Sequence, residues 1–239
     1  MKLTHITFTG IDEHTDLNRV LELSEKYPYV EWGVLFSYKW KDNGNRYPSP
    51  VMLNNLRDLK DKLNLSAHFC GEMARDIVTC ETEKVYETML NNFDLFSRCQ
   101  LNVNAASMYS GLRSMRPFDR NLKEVIIQMS SGLSLESFLD YMKTPTPRVA
   151  YLIDGSGGRG IDCKIYVQDK PKLHIGYAGG MNPENVGEKL KALLEYPSYG
   201  EFWIDMESGV RDDADWFDLD KAEKVLEICD DLVKKHNKM

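Results

Sequence analysis

Short runs of apolar and β-branched residues alternate along the chain with longer segments whose apolar residues recur at helical spacing. Eight such pairs can be counted, a pattern typical of βα units around a parallel sheet. The strands are predicted at residues 3–8, 30–36, 65–69, 100–103, 124–129, 149–153, 173–178 and 202–206. A chain of 239 residues has the length of one such barrel. We therefore predict a single α/β domain over residues 1–239, a (β/α)8 TIM barrel with a closed, eight-stranded parallel sheet.

Helices are predicted after most of the strands, at residues 16–26, 49–62, 81–93, 135–142, 182–194 and 218–235. Pro50 suits the first turn of its helix, Asn182 and Pro183 form a cap followed by a first-turn proline, and Asp218 caps the last helix. The connection at residues 104–120 contains Arg113 and Arg116 and is predicted to be largely a loop beside the barrel mouth.

Composition narrows the class of ligand. The net charge of −7 argues against a general nucleic-acid binder, because phosphate contacts along a nucleic acid require a positive stripe. The five cysteines lack metal-ligand spacing, the opening residues lack the apolar region of a signal peptide, and no segment has the length of a transmembrane helix. We expect a cytoplasmic protein whose partner is a small molecule, with neither a nucleic acid nor a membrane as partner.

Glycine clusters follow three successive predicted strands. They are Gly157, Gly158 and Gly160 after strand six, Gly179 and Gly180 after strand seven, and Gly209, preceded by Ser208, after strand eight. In a barrel, the loops after the last strands commonly hold phosphate, since glycine lets backbone N–H groups approach an anion. The three clusters together predict a phosphate site at the mouth.

The motifs around these glycines resemble one family. "YLIDGSGGRG", "IGYAGGMNPENV" and "FWIDMESGVRD" in the last three strand regions are similar to phosphoribosylanthranilate isomerase, an enzyme of tryptophan biosynthesis. "TFTGID" near the start, "NRYPSP" after strand two and "QLN" in strand four extend the similarity over most of the barrel.

The resemblance implies an Amadori rearrangement, in which an aminoaldose phosphate opens and becomes an aminoketose, without a cofactor. This reaction needs an acid for the ring oxygen and a base for the proton on carbon 2. Asp154 stands at the family's acid position, and the alternative for it is an aspartate that caps its own turn. Arg46 stands where the family has an arginine that binds the acidic part of the substrate, and the alternative for it is a surface arginine in a polar loop.

The base position differs from the family pattern. The family has a cysteine directly before a Gly-Ile pair at the end of strand one, whereas this chain has Thr9. A threonine hydroxyl does not lose its proton near neutral pH without strong activation. His68, at the end of strand three, is a candidate replacement or a hydrogen-bonded structural histidine, and Cys70 is interpreted as a small buried residue. The base is therefore unassigned.

Strand eight carries a second difference. Glu207 precedes Ser208 where the family usually has a small hydroxyl or amide residue, and Asp205 lies on the same face of the strand. Both are expected near Asp154 and are counted with the substrate-binding residues. These three carboxylates suit Mg²⁺ or Mn²⁺, but the favoured interpretation has no metal and pairs Glu207 with Arg211 or Arg159.

Three functions follow from these residues. The leading hypothesis is a phosphosugar isomerase of the phosphoribosylanthranilate isomerase type, which binds a phosphorylated sugar. The second is a barrel that binds such a ligand without catalysis and serves a binding or regulatory role. The third is a metal-assisted enzyme acting on a related phosphorylated substrate.

Overall fold

The computed structural model describes residues 1–38, 45–79, 93–102, 123–130, 148–156, 159–164, 173–197 and 200–236. Eight parallel strands close into a barrel in chain order. They are β1 (Lys2–Thr9), β2 (Val30–Phe36), β3 (Leu65–Cys70), β4 (Arg98–Asn102), β5 (Glu124–Ser130), β6 (Arg148–Asp154), β7 (Ile175–Ala178) and β8 (Glu201–Met206). The predicted (β/α)8 barrel is confirmed, and the strand bounds differ from those predicted by at most two residues.

The register of β1 brings the ends of distant strands together. β1 is hydrogen-bonded to β2 on one side, with Thr9 opposite Gly33, and to β8 on the other, with Thr7 opposite Asp205. Since all strands are parallel, their carboxyl ends lie at one end of the barrel. Residues far apart in sequence therefore share a single mouth.

The described part of the chain contains five α-helices, which are α1 (Leu17–Lys26), α2 (Pro50–Asp58), α3 (Gly71–Thr79), α4 (Val186–Leu194) and α5 (Leu219–His236). Side-chain caps begin several of them, as expected for exposed helix starts. Ser49 Oγ accepts from the backbone N–H groups of Val51 and Met52, and Asp218 Oδ1 accepts from those of Asp220 and Lys221. None of these five helices combines the length and apolar character needed to cross a membrane.

Three helix predictions need correction. α2 ends at Asp58 rather than at residue 62, because the polar residues 60–62 offer no apolar side chain that would keep a further turn on the barrel. Asn182 caps a turn rather than the helix itself, since its side chain accepts from Glu184 N and Asn185 N and α4 begins at Val186. α3 was not predicted, although its buried Met73, Ala74 and Ile77 have helical spacing.

Two further predicted helices fall largely on residues that the structure does not describe. The helix predicted at 81–93 lies outside the described residues except for Phe93, which belongs to a 3-10 turn over Phe93–Leu95. The helix predicted at 135–142 and the loop with Arg113 and Arg116 lie outside the described residues altogether.

A charged layer lies inside the barrel. Arg98 donates from Nη1 to Glu31 Oε1 and from Nε to Glu124 Oε2, both at 2.9 Å, and all three side chains are buried. The guanidinium carbon lies 4.4 Å from the centre of the Trp203 ring, and Gly176 leaves space for that ring. Burial alone would raise the pKa of Glu31, but the charge of Arg98 lowers it below its ordinary value. The barrel interior thus holds fixed charges.

Candidate active site

A cavity of about 290 Å³ opens at the carboxyl ends of the strands. It is lined by Thr9, His68, Cys70, Gln100, Asn102, Gln128, Leu152, Asp154, Ser156, Gly160, Ala178, Gly179, Gly180, Met181, Asp205, Met206, Glu207, Ser208 and Gly209. Ten of the residues predicted from sequence as site residues are therefore in one cavity. Arg46 lies beside it, and Gly157 and Gly158 lie outside the described residues. The volume suits a ligand of the size of a small phosphorylated sugar.

The glycine-rich end of the cavity is packed too tightly for side chains. A Cβ on Gly209 would lie 1.8 Å from the carbonyl oxygen of Met181, and one on Gly160 would lie 2.6 Å from Ser208 Oγ. Gly160 and Gly180 have φ angles of +62° and +58°, which glycine adopts without steric cost. The loops after β6, β7 and β8 therefore meet backbone to backbone, as an anion site built from N–H groups requires.

Lys189 of α4 supports this loop cluster. Its Nζ donates to the carbonyl oxygens of Cys163 at 2.7 Å and Gly179 at 3.0 Å and lies 2.5 Å from Asp162 Oδ1. One ammonium group thus ties the loop after β6 to the loop after β7. The sequence pattern does not single out this lysine, because its partners become neighbours only in the closed barrel.

Gly180→Ala is expected to weaken binding of inorganic phosphate at least about tenfold, because the new Cβ would lie 2.3 Å from Asp162 N and displace the loop. Gly71→Ala is the matched control: its φ is +60°, but no atom lies within 4 Å of its Cβ position. Both variants should carry the strain of a left-handed alanine, about 1–2 kcal/mol. Calorimetric titration with phosphate and urea unfolding measure the two effects, and equal phosphate affinities would contradict a loop-built anion site.

Asp154 is held by three hydrogen bonds. Its Oδ1 accepts from the backbone N–H of Ser156 at 2.9 Å and from Ser156 Oγ at 2.7 Å, and its Oδ2 accepts from Gln128 Nε2 at 2.9 Å. Ser156 Oγ in turn accepts from the backbone N–H groups of Arg159 and Gly160, each at 3.2 Å. The carboxyl group is therefore coupled to the glycine loop, and both interpretations of Asp154 are compatible with this geometry, since it caps its own turn and lines the cavity.

Thr9 stands between an acid and a histidine. Its hydroxyl donates to Asp205 Oδ1 at 2.8 Å and lies 3.3 Å from His68 Nδ1. The other ring nitrogen of His68 lies 2.9 Å from Ser66 Oγ, so both nitrogens have partners. Burial lowers the pKa of His68 to about 4, and burial raises the pKa of Asp205 to about 7. Near neutral pH His68 is therefore uncharged, and Asp205 is present in both its protonated and its ionised form.

Arg46 is already paired with two carboxylates. Its Nε and Nη2 donate to the two carboxylate oxygens of Asp215, each at 2.8 Å, and its Nη1 donates to Glu207. The favoured interpretation of Glu207 is thus right in kind, since it pairs with an arginine, but wrong in the partner. Arg211 pairs instead with the buried Asp12 at 2.9 Å. Within the described residues, no group of three His, Cys, Asp or Glu side chains is placed to hold a metal ion.

Several cavity residues were not predicted. Gln100, Asn102, Gln128 and Ser156 all line the cavity. Gln128 and Gln100 each interrupt a run of apolar residues in a buried strand, and that interruption is the signal that would have revealed them. Among the described residues, the buried Oε1 of Gln100 has no hydrogen-bond partner.

Comparison with known proteins supports the family resemblance and the barrel fold. The family model for N-(5'-phosphoribosyl)anthranilate isomerase matches residues 115–227. This segment contains Asp154 and Asp205 and the described glycines of the phosphate loops, whereas Thr9, Arg46 and His68 precede it. The resemblance inferred from the sequence is confirmed, and the matched description is that of an isomerase, the reaction class that the sequence predicts. No curated protein matches the chain.

Solved structures of similar fold carry the same description. Phosphoribosylanthranilate isomerase from Thermus thermophilus is 19% identical with a TM-score of 0.61, and the match covers 97% of this chain and 100% of that one. Monomers generated from the dimeric enzyme of Thermotoga maritima are 17% identical, with a TM-score of 0.59 and coverage of 95% and 98%. A complex with reduced 1-(o-carboxyphenylamino)-1-deoxyribulose 5-phosphate is 17% identical, with a TM-score of 0.57 and coverage of 95% and 99%. At these identities the likeness establishes the fold.

Proposed function

We propose that this barrel, which resembles the phosphoribosylanthranilate isomerase family, isomerises an aminoaldose phosphate to an aminoketose phosphate in the cavity at its strand ends. One observation carries the proposal: a carboxyl group, Asp154, is hydrogen-bonded through Ser156 to a glycine loop that lines the same cavity. Both features lie in the segment that matches the family. The protein of known structure that binds a reduced aminoketose phosphate supports a ligand of this class.

The phosphate group is expected to bind where the loops after β6, β7 and β8 meet. Gly160, Gly179, Gly180 and Gly209 line the cavity and let these loops approach one another closely, and Ser208 adds a hydroxyl donor. Gln100 and Asn102 of β4 also line the cavity, and their amide groups can form hydrogen bonds with a sugar hydroxyl. The sugar would thus lie between the phosphate loops and β4, with Asp154 beside it.

Asp154 is proposed to give a proton to the ring oxygen. Protonation allows the bond between carbon 1 and the ring oxygen to break, so that the nitrogen lone pair forms a protonated imine. The three hydrogen bonds to Asp154 fix the direction of its carboxyl group.

Glu207 is paired with Arg46, the arginine that the resemblance assigns to substrate binding. A substrate carboxylate that binds Arg46 must displace either Glu207 or Asp215. We therefore expect Glu207→Ser to lower KM for phosphoribosylanthranilate about three- to tenfold, since it removes the competitor and a like charge, with little change in kcat. The control is Glu22→Ser, at an exposed position of α1 that does not line the cavity. An unchanged KM in Glu207→Ser would contradict a role for Arg46 in substrate binding.

The loss of phosphoribosylanthranilate fluorescence in the presence of the purified protein tests the proposed function. The rate should be proportional to protein concentration and should be abolished in Asp154→Asn. Absence of turnover at high protein concentration, together with binding of the product, would instead support the second candidate, a barrel that binds a phosphosugar without catalysis. That candidate is favoured by one observation, the hydroxyl of Thr9 at the position of the family's cysteine.

The metal-assisted alternative has less support in this geometry. Glu207 is paired with Arg46, and Asp205 accepts from Thr9, so the three carboxylates each have partners of their own. Thermal unfolding with Mg²⁺ or Mn²⁺, with and without phosphate, tests it directly. A rise in Tm with either metal would favour it over the metal-free mechanism.

A further inference from the structure

The proposed reaction leaves one role open, the removal of the proton from carbon 2. The side chain at the family's base position is Thr9, which is 3% exposed and lines the cavity. Its hydroxyl is too weak an acid to serve as an anionic base near neutral pH. A replacement base should therefore contact Thr9 and reach the cavity.

Two neighbouring groups fit this role poorly. His68 lies 3.3 Å from Thr9, but both ring nitrogens have hydroxyl partners, and its low pKa, caused by burial, makes the imidazole a weak base. Cys70 is a thiol that lines the cavity, but burial raises its pKa to about 12, so its thiolate is scarce near neutral pH. Neither offers both a free proton acceptor and a suitable affinity for the proton.

Asp205 has the geometry that both lack. Its Oδ1 accepts from Thr9 Oγ1 at 2.8 Å, and no described residue hydrogen-bonds its second oxygen. The residue is 6% exposed and that exposure is toward the cavity, which it lines together with Asp154. β8 carries Asp205 and β6 carries Asp154, with only β7 between them. Two carboxyl groups thus lie on neighbouring parts of one wall, each fixed by hydroxyl or amide donors.

We infer that Asp205 takes the proton from carbon 2 of the sugar and that Thr9 is a positioning residue that holds its carboxylate. This inference rests on the proposed function. The surroundings of the group support it: burial raises the pKa of Asp205, the hydrogen bond from Thr9 lowers it, and the carboxylates of Glu207, Glu31 and Asp154 raise it further. A carboxylate whose proton affinity is matched to neutral pH is a stronger base than an ordinary one.

The proton transfers form a closed catalytic cycle. The C–H bond at carbon 2 of the protonated imine breaks, its proton goes to Asp205, and its electron pair forms the double bond to carbon 1. The electrons of the C=N bond move to nitrogen, which yields a neutral enolamine. When this becomes the ketone, carbon 1 receives the proton from Asp205 and the hydroxyl on carbon 2 gives its proton to Asp154. Both carboxyl groups return to their starting forms, and no oxidant or reductant is needed.

The test uses phosphoribosylanthranilate with hydrogen or deuterium at carbon 2. Asp205→Asn should lower kcat at least about 100-fold with KM nearly unchanged, and the remaining reaction should show a larger deuterium isotope effect than wild type, because proton removal limits it. Thr9→Val should lower kcat only about tenfold, since it loses one hydrogen bond to the carboxylate. Retention of phosphate binding shows that each variant is folded.

A rescue variant separates a base from a structural residue. Thr9→Cys in the Asp205→Asn background places a thiol where the resemblance has the family's base, and it should restore part of kcat. Wild-type kcat in Asp205→Asn, or loss of its isotope effect, overturns the assignment of the base and leaves the isomerase intact. Absence of turnover by wild type overturns the proposed function and this inference with it.

Discussion

Asp154→Asn is expected to lower kcat for phosphoribosylanthranilate about 10²- to 10⁴-fold, the range typical for loss of a positioned acid. An amide keeps the shape of the carboxyl group and can still accept from Ser156 or Gln128, but it has no proton of suitable acidity for the ring oxygen. Affinity for inorganic phosphate should stay close to that of wild type, because the proposed phosphate site consists of backbone N–H groups rather than of the Asp154 side chain. Steady-state kinetics measure kcat, and calorimetric titration measures the affinity for phosphate.

Asp220→Asn provides the control for Asp154→Asn. Asp220 is exposed on α5 and pairs with Arg19 on the outside of the barrel. The same chemical change there should leave both kcat and KM unchanged. A similar loss of kcat in both variants would show a general effect on folding, and an undiminished kcat in Asp154→Asn would remove Asp154 from the mechanism.

Asp205→Asn is expected to stabilise the protein at about pH 8, by an amount on the order of 4 kcal/mol in the free energy of unfolding. Burial raises the pKa of Asp205 from its ordinary value of 3.8 to about 7, so the folded state binds a proton more tightly than the unfolded state. Its contribution to stability is therefore fully present below about pH 4 and is lost as pH rises toward about 7. The side-chain amide of the asparagine variant has no carboxyl proton to lose, so the variant does not lose this stability as pH rises.

Urea unfolding from about pH 5 to about pH 8 measures this difference. The advantage of Asp205→Asn over wild type should grow with pH and level off above about pH 7. Asp12→Asn is the matched control, because Asp12 is equally buried but pairs with Arg211 at 2.9 Å and accepts from Phe217 N at 2.7 Å. It should destabilise by about 3–5 kcal/mol, since it leaves a buried arginine without its partner. A pH-independent or negative effect at Asp205 would contradict the proton affinity assigned to it.

A substitution at Asp205 that raises stability and lowers activity would identify a group kept for function. Natural proteins retain such destabilising charges where chemistry requires them. The charged layer beneath the cavity, in which Arg98 joins Glu31 and Glu124, has the opposite character, because its charges are paired. The two carboxylates differ in their hydrogen-bond partners. Asp205 accepts from the neutral hydroxyl of Thr9, whereas Glu31 accepts from the charged guanidinium of Arg98.

The pattern of apolar residues predicts the strands well because strand length and alternation are local properties. The cap at Asp218 and the first-turn position of Pro50 are local too, and both were found as expected. The pairing of Glu207 with Arg46 is different, because the two residues are 161 positions apart and meet only when β8 closes onto β1. Sequence spacing indicates that both lie near the mouth but does not rank Arg46 above Arg211 as the partner.

In the candidate site, too, residues close together in sequence could be predicted, whereas contacts made by closure of the barrel could not. Asp154 and the glycine loops were predicted from motifs, whose residues are close together in sequence. The contact between Thr9 and Asp205 depends on the closure of the barrel, where β1 and β8 become hydrogen-bonded neighbours. Asp205 was therefore predicted as a substrate-binding residue, and only the position of its carboxylate beside Thr9 indicates chemistry for it.

The most direct test of the isomerase assignment is a single-turnover experiment with the protein in excess over phosphoribosylanthranilate. We expect a first-order loss of substrate fluorescence that is matched by formation of the aminoketose phosphate, identified by chromatography and mass. The same cavity should then bind that product. Stable binding of the substrate without its conversion would contradict the account and leave the protein a phosphosugar-binding barrel.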